Sequence, residues 1–240
     1  PILLIGPEAE PFAVQRSKIK KIRKLLAYRE SAEPDYPDIK VSNFKEIFDE
    51  ISGGKGIKRL ALGDYAILPM PVYEGVREAL GAKGEIIRAE WIISDLRAVK
   101  SENEIAMMKE AHRISELALE DLLKEMKVGM TEKEAMGILY HAMYKHGAEC
   151  EAFPNYIFGG KQTQNAIARA TYKKLEPGQM IQLCVGARFG GYASSVGRPV
   201  IFGKMPQEMK KQVQFGLDAH LITYEWIKEG IIAKDVAENY

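Results

Sequence analysis

Ile181-Gln182-Leu183-Cys184-Val185-Gly186-Ala187, a turn at Phe189-Gly190-Gly191, and Tyr192-Ala193-Ser194-Ser195-Val196-Gly197-Arg198 form the stretch that decides the fold. Apolar residues alternate here with small or polar ones, the two-residue period of an antiparallel hairpin buried on one side. A two-residue turn at Phe189-Gly190 pairs Cys184 with Ser195, Gln182 with Gly197 and Gly186 with Ala193. Ile181, Leu183, Val185, Tyr192 and Val196 then make a core face. The opposite face is small and polar, as the wall of a cavity would be.

Helices are legible on either side of this hairpin. Ser101 and Glu104 form a capping box, and Ile105, Met108, Ala111, Ile114, Ala118 and Leu122 continue it as an apolar stripe. A second capping box, Thr131 with Glu134, opens a helix that carries Ile138, Leu139 and Met143 and stops at Gly147. After the hairpin, Met205 to Lys228 reads as a helix with Met209, Val213, Leu217, Leu221 and Trp226 as buried contacts. Residues before about 97 alternate strand and helix signals: Ile2 to Ile5, a helix from Asn43 to Gly53, Leu60 to Leu62, a helix from Pro71, and Glu85 to Arg88. The expected class is α/β or α+β, with domains at 1–97 and 98–240. Gly53-Gly54-Lys55-Gly56 is read as a helix stop and not as a phosphate loop, because the glycines follow a helix.

Composition narrows the function classes. The 240 residues are 46% hydrophobic and 28% charged with a net charge of +1. Nothing in that balance points to nucleic acid or to a membrane surface, and no apolar run is long enough to span a bilayer. Cys150 and Cys184 lack metal-ligand or redox spacing, so a reducing cytoplasm is the expected location.

The stretch from Ser101 to Phe202 resembles the catalytic domain of the creatinase, prolidase and aminopeptidase P family, the pita-bread enzymes. Members of that family read Ile-Asp-x-Gly and then Gly-Tyr-x-Ser-Asp-x-x-Arg, with both Asp residues on a dinuclear metal centre. The frame survives here as Leu183-Cys184-Val185-Gly186 and Gly191-Tyr192-Ala193-Ser194-Ser195-Val196-Gly197-Arg198, and both aspartates are replaced. An ungapped count places Ile167 where the family has a substrate-contacting His, with Asn165 as the nearest polar residue. The resemblance implies that the remaining His and Glu ligands follow Tyr240 and that the sequence is a piece of a longer protein. It also implies a homodimer, and residues 1–97 resemble part of the family's N-terminal domain.

These departures shape the expected chemistry. A dinuclear site needs hard carboxylate oxygens, which a thiol and a hydroxyl do not replace, so no metal or other cofactor is expected. His112, His141, His146 and His220 are not placed to serve Cys184 as a base, and no residue is assigned a catalytic role. Asn155, Asn165, Gln182, Cys184, Ser195, Tyr192 and Arg198 are the candidate pocket residues, for a small-molecule or peptide substrate. The expected function is a metal-independent hydrolase of a small C–N substrate, amidino or amide, on the precedent of creatinase. The alternatives are a non-catalytic pita-bread binding module and, last, a dinuclear Xaa-Pro peptidase.

Overall fold

The computed structural model describes residues 1–32 and 38–239. The chain divides into two compact units, Pro1–Val99 and Lys100–Tyr240. In the first unit, β1 (Leu3–Ile5), α1 (Glu10–Arg16) and β2 (Ile22–Lys24) form one β-α-β turn, with the strands parallel. The helix α2 (Phe44–Ser52) is followed by β3 (Arg59–Leu62), α3 (Met70–Leu80) and β4 (Glu85–Arg88), with β3 and β4 again parallel. α4 (Glu90–Ala98) closes the unit. Asn43 caps α2 by accepting from the Glu46 amide, and Gly53 ends it in the left-handed region at φ 62°. Gly is the residue that adopts this conformation without steric cost. Leu25, Ile47, Phe48 and Val76 make the core of this unit.

The second unit starts with two helices, α5 (Glu102–Glu125) and α6 (Glu132–Lys145), and both predicted capping boxes are present. Next come β5 (Cys150–Glu151), β6 (Tyr156–Gly159), β7 (Met180–Val185), β8 (Ala187–Phe189), β9 (Tyr192–Ala193) and β10 (Val196–Ile201). They form two antiparallel three-stranded sheets, ordered β10-β7-β6 and β5-β8-β9. Ile181, Leu183 and Val185 are fully buried against Ile114, Leu122, Leu139 and Met143 of the helices. Each such side chain contributes roughly 1.5–3 kcal/mol by leaving water. α7 (Gln207–Trp226) and α8 (Ala233–Asn239) complete the unit. Among the described residues, no helix is long and apolar enough to cross a membrane.

Two expectations need correction. The hairpin turns at Gly190-Gly191, one residue later than the sequence reading placed it. Phe189 pairs with Tyr192, Arg188 with Ala193, and Cys184 with Gly197 in place of Ser195. Gly190 and Gly191 have φ values of 57° and 78°. A two-residue hairpin turn with both centres at positive φ suits two glycines and not Phe189. The Glu149 carboxylate then accepts from both turn amides at 3.1 Å. The second correction concerns α7, which buries none of its residues and leaves Leu217 and Leu221 about half exposed. A cleft separates this helix from β10, so its apolar stripe has no packed layer to face.

Between β7 and β8 the hairpin strand passes from one sheet to the other. A Cβ on Gly186 would lie 2.5 Å from both the Phe153 ring and the Ser194 carbonyl oxygen. Gly191 has nothing near its missing Cβ and resists substitution only through its φ. Gly186→Ala is therefore expected to lower the unfolding free energy by about 2–3 kcal/mol. Gly191→Ala is expected to lower it by about 1 kcal/mol. Urea denaturation of the two variants measures the difference, and equal losses would contradict the tight contact at Gly186.

The start of α5 is tied to the hairpin by the Tyr192 hydroxyl, which donates to Glu104 Oε1 at 2.6 Å. That bond, followed by those from the Ser101 amide and hydroxyl, lowers the Glu104 pKa from 4.5 to about 2. A carboxylate with a depressed pKa stabilises the fold above its unfolded value, and that contribution is lost as pH falls toward the folded value. Tyr192→Phe should move the Glu104 titration midpoint upward in a carbon-detected NMR titration. An unmoved midpoint would remove Tyr192 as the main cause.

Candidate functional site

The face of the β10-β7-β6 sheet opposite the core carries the predicted site. Cys184 lies between Tyr156 on β6 and Gly197 on β10, and Gln182 lies between Phe158 and Pro199. Alternation along β7 sends Gln182 and Cys184 away from the core residues Ile181, Leu183 and Val185. Both are half-buried. Aromatic rings cluster beside them: Tyr156 lies 5.7 Å from Phe153 and 6.3 Å from Phe158, centroid to centroid. The Arg169 guanidinium stands 4.8 Å over the Tyr156 ring.

The other candidate residues go elsewhere. Asn155 is buried; its Oδ1 accepts from the Gly186 amide at 2.8 Å and its Nδ2 contacts Met143 Sδ at 3.1 Å. Asn165 is exposed, with its Nδ2 donating to the Gln162 carbonyl. Tyr192 is engaged with Glu104, as described above. Ser195 sits in the break between β9 and β10 and is exposed. It lines a cleft of about 920 Å³ with His112, Glu116, Arg198, Leu217 and His220. Arg198 is exposed and donates to the Gly197 carbonyl at 2.7 Å. Gln182 and Cys184 lie on one sheet face, and their β10 neighbours Gly197 and Pro199 also line the cleft that holds Ser195 and Arg198. Ile167, at the position of the expected His, is 63% exposed.

Several residues with evident roles were not marked by the sequence. Ser115 and Ser194 are buried with their hydroxyl oxygens 2.7 Å apart, and the Ala187 amide donates to both. Glu132 is fully buried; its Oε1 accepts from the Gly159 amide, and its Oε2 from the amide and hydroxyl of Thr171. In the sequence Glu132 reads only as an acidic residue in the first turn of a helix, because its partners lie far along the chain. His146 lies 2.9 Å from Asp121 Oδ2, and Lys145 reaches the same oxygen. The Lys145 and His146 bonds hold the Asp121 pKa at about 2.

The donor set around Cys184 does not fit two hard divalent ions. It offers one thiol, an amide from Gln182 and no carboxylate, and the position across the strand is a glycine. Among the described residues, no group of three or more His, Cys, Asp or Glu side chains is arranged to hold a metal ion.

Known proteins place this architecture. The chain is 28% identical over 199 residues to the Xaa-Pro dipeptidase of Pyrococcus horikoshii, covering 83% of this chain and 56% of that protein. It is 26% identical over 204 residues to the Xaa-Pro dipeptidase of Pyrococcus furiosus, covering 85% and 57%. The fold is shared with the X-Pro aminopeptidase from Thermotoga maritima, with a TM-score of 0.79 at 24% identity over 99% of this chain and 63% of that one. It is shared also with the prolidase from Pyrococcus horikoshii, with a TM-score of 0.81 at 24% identity over 99% and 62%. The mixed helix and strand architecture is therefore part of a pita-bread fold, and the chain spans little more than half the length of these curated relatives. With the pattern of metallopeptidase family M24 matching residues 106–240, the chain belongs to that family.

Proposed function

We propose that the face around Cys184 binds a small C–N ligand, an amide or an amidino compound, without a dinuclear metal centre. The observation that carries this reading is the cross-strand row Tyr156, Cys184, Gly197, which holds no carboxylate where a two-metal site needs them. The face keeps what ligand binding uses: flanking aromatic rings, a polar amide at Gln182 and a half-buried thiol.

Metal-independent hydrolysis of the same C–N bond, by the whole protein, is the second reading. The free thiol of Cys184 favours it. General acid–base chemistry needs a titratable group within hydrogen-bond reach of the substrate. His141 is exposed, His146 is engaged with Asp121, and His112 and His220 line the cleft on the far side of Gly197 and Pro199. Binding is thus better supported than turnover. A dinuclear Xaa-Pro peptidase ranks third on the donor set alone. The protein acts as a homodimer in either leading reading, in line with the family resemblance.

Elemental analysis tests the proposal on full-length protein purified without chelator and dialysed against manganese, cobalt or zinc. Close to zero retained ions per protomer is the expected result. About two tightly held ions, the complement of a dinuclear enzyme, would overturn it. Assay of the metal-free protein on small amides and amidino compounds then separates binding from hydrolysis.

A further inference from the structure

We propose that the Arg169 guanidinium occupies the place of a planar cationic ligand on the Tyr156 ring, so that a guanidinium or amidinium compound enters the Cys184 face by displacing it. The inference rests on the ligand-binding reading of that face and narrows it to the amidino class. Tyr156 is the register neighbour of Cys184, and the Arg169 guanidinium stands 4.8 Å over its ring. Phe153 and Phe158 flank that ring at 5.7 and 6.3 Å, so neighbouring side chains hold its orientation. The electron-rich face of the ring attracts planar cations, and a ligand guanidinium or amidinium offers the same charge and shape as the side chain stacked there. Glu151 and Arg169 act on the Tyr140 hydroxyl in opposite senses, so an acid accompanies the stacked cation. Gln182, on the same sheet face as Cys184, adds an amide oxygen able to accept from a ligand N–H.

Arg169 is also placed to leave the ring. It is exposed, as are Asn165, Ala166 and Ile167 before it, and this stretch belongs to no helix or strand. Fully buried Glu132 grips Gly159 at the end of β6 and Thr171, two residues beyond Arg169. The stretch therefore moves between two anchored points and disturbs neither. Swinging Arg169 aside breaks one ring contact and, among the described residues, no salt bridge. A cation–π contact at an exposed site is weak, so a ligand cation that adds a second contact to the face outcompetes it.

Isothermal titration of the full-length protein with methylguanidine and its neutral counterpart methylurea tests this. Methylguanidine should bind more tightly than methylurea. Arg169→Ala should tighten methylguanidine about threefold or more, the factor for a ring covered at least about two-thirds of the time. That gain should persist in about 0.5 M sodium chloride, where simple repulsion between Arg169 and the ligand is screened. In an NMR titration of the unaltered chain, methylguanidine should move the Arg169 Nε–H resonance out of the Tyr156 ring current. No gain in Arg169→Ala, a gain abolished by salt, a preference for methylurea, or an unmoved Arg169 resonance would each overturn the inference. Methylguanidine binding that Arg169→Ala leaves unchanged would sink this inference and keep the ligand-binding reading. Binding of neither compound to either protein below about 10 mM would sink both. Two bound ions together with the gain in Arg169→Ala would sink the metal-free reading and leave this one standing.

Discussion

Two consecutive amides, those of Gly186 and Ala187, set the constraint on which the second unit depends. They sit where one strand leaves the β10-β7-β6 sheet and enters the β5-β8-β9 sheet, and both residues are buried. A buried N–H without an acceptor costs about 1–3 kcal/mol. Side chains from distant elements supply the acceptors: Asn155 for Gly186, and Ser115 with Ser194 for Ala187. The carbonyls are satisfied in turn, that of Gly186 by the Ala152 amide and that of Ala187 by the amide and hydroxyl of Ser194. Helix α5, the loop before β6 and both arms of the hairpin thus meet at one buried polar knot. Around it the two sheets share a single apolar core.

Sequence reading reached the parts of this structure that depend on near neighbours. Both capping boxes involve residues three apart, and both formed as expected. The alternation of Ile181, Leu183 and Val185 likewise reports one strand with one buried face. The turn falls one residue later than expected because both of its centres need positive φ, which Gly190-Gly191 adopts and Phe189-Gly190 would not. Helices α1 and α4 and strand β2 were not anticipated, being short and weakly patterned. What could not be read locally was the purpose of buried polar residues. Ser115 and Ser194 are 79 residues apart, and Glu132 and Thr171 are 39 apart. Asn155 was legible as a polar residue beside the site, but nothing in its neighbourhood tells a ligand contact from a backbone acceptor.

The stripe on α7 shows the limit of periodicity from the other side. Met209, Val213, Leu217 and Leu221 recur at helical spacing, and that spacing does identify a helix. It does not say what the stripe packs against. Among the described residues its facing wall is the cleft bordered by β10, where Ser195, Arg198, His112 and Glu116 lie. This cleft mixes both charges with apolar surface. The Cys184 face has aromatic rings, neutral polar groups and one cation. The cleft and the Cys184 face meet along Gly197 and Pro199, so the candidate residues line adjoining surfaces.

The two-residue period of β7 explains how such a fold can exchange its chemistry while keeping its shape. Ile181, Leu183 and Val185 point into the core, and a change at any of them would open a cavity costing several kcal/mol. Gln182 and Cys184 point the other way and are only half-buried. An aspartate at position 184 would place negative charge beside the rings of Tyr156 and Phe153. A thiol there removes that charge and leaves the ladder to Tyr156 and Gly197 intact, because backbone groups alone make the ladder. The strand period thus separates the β7 residues that fill the core from Gln182 and Cys184, whose side chains can vary without altering the ladder.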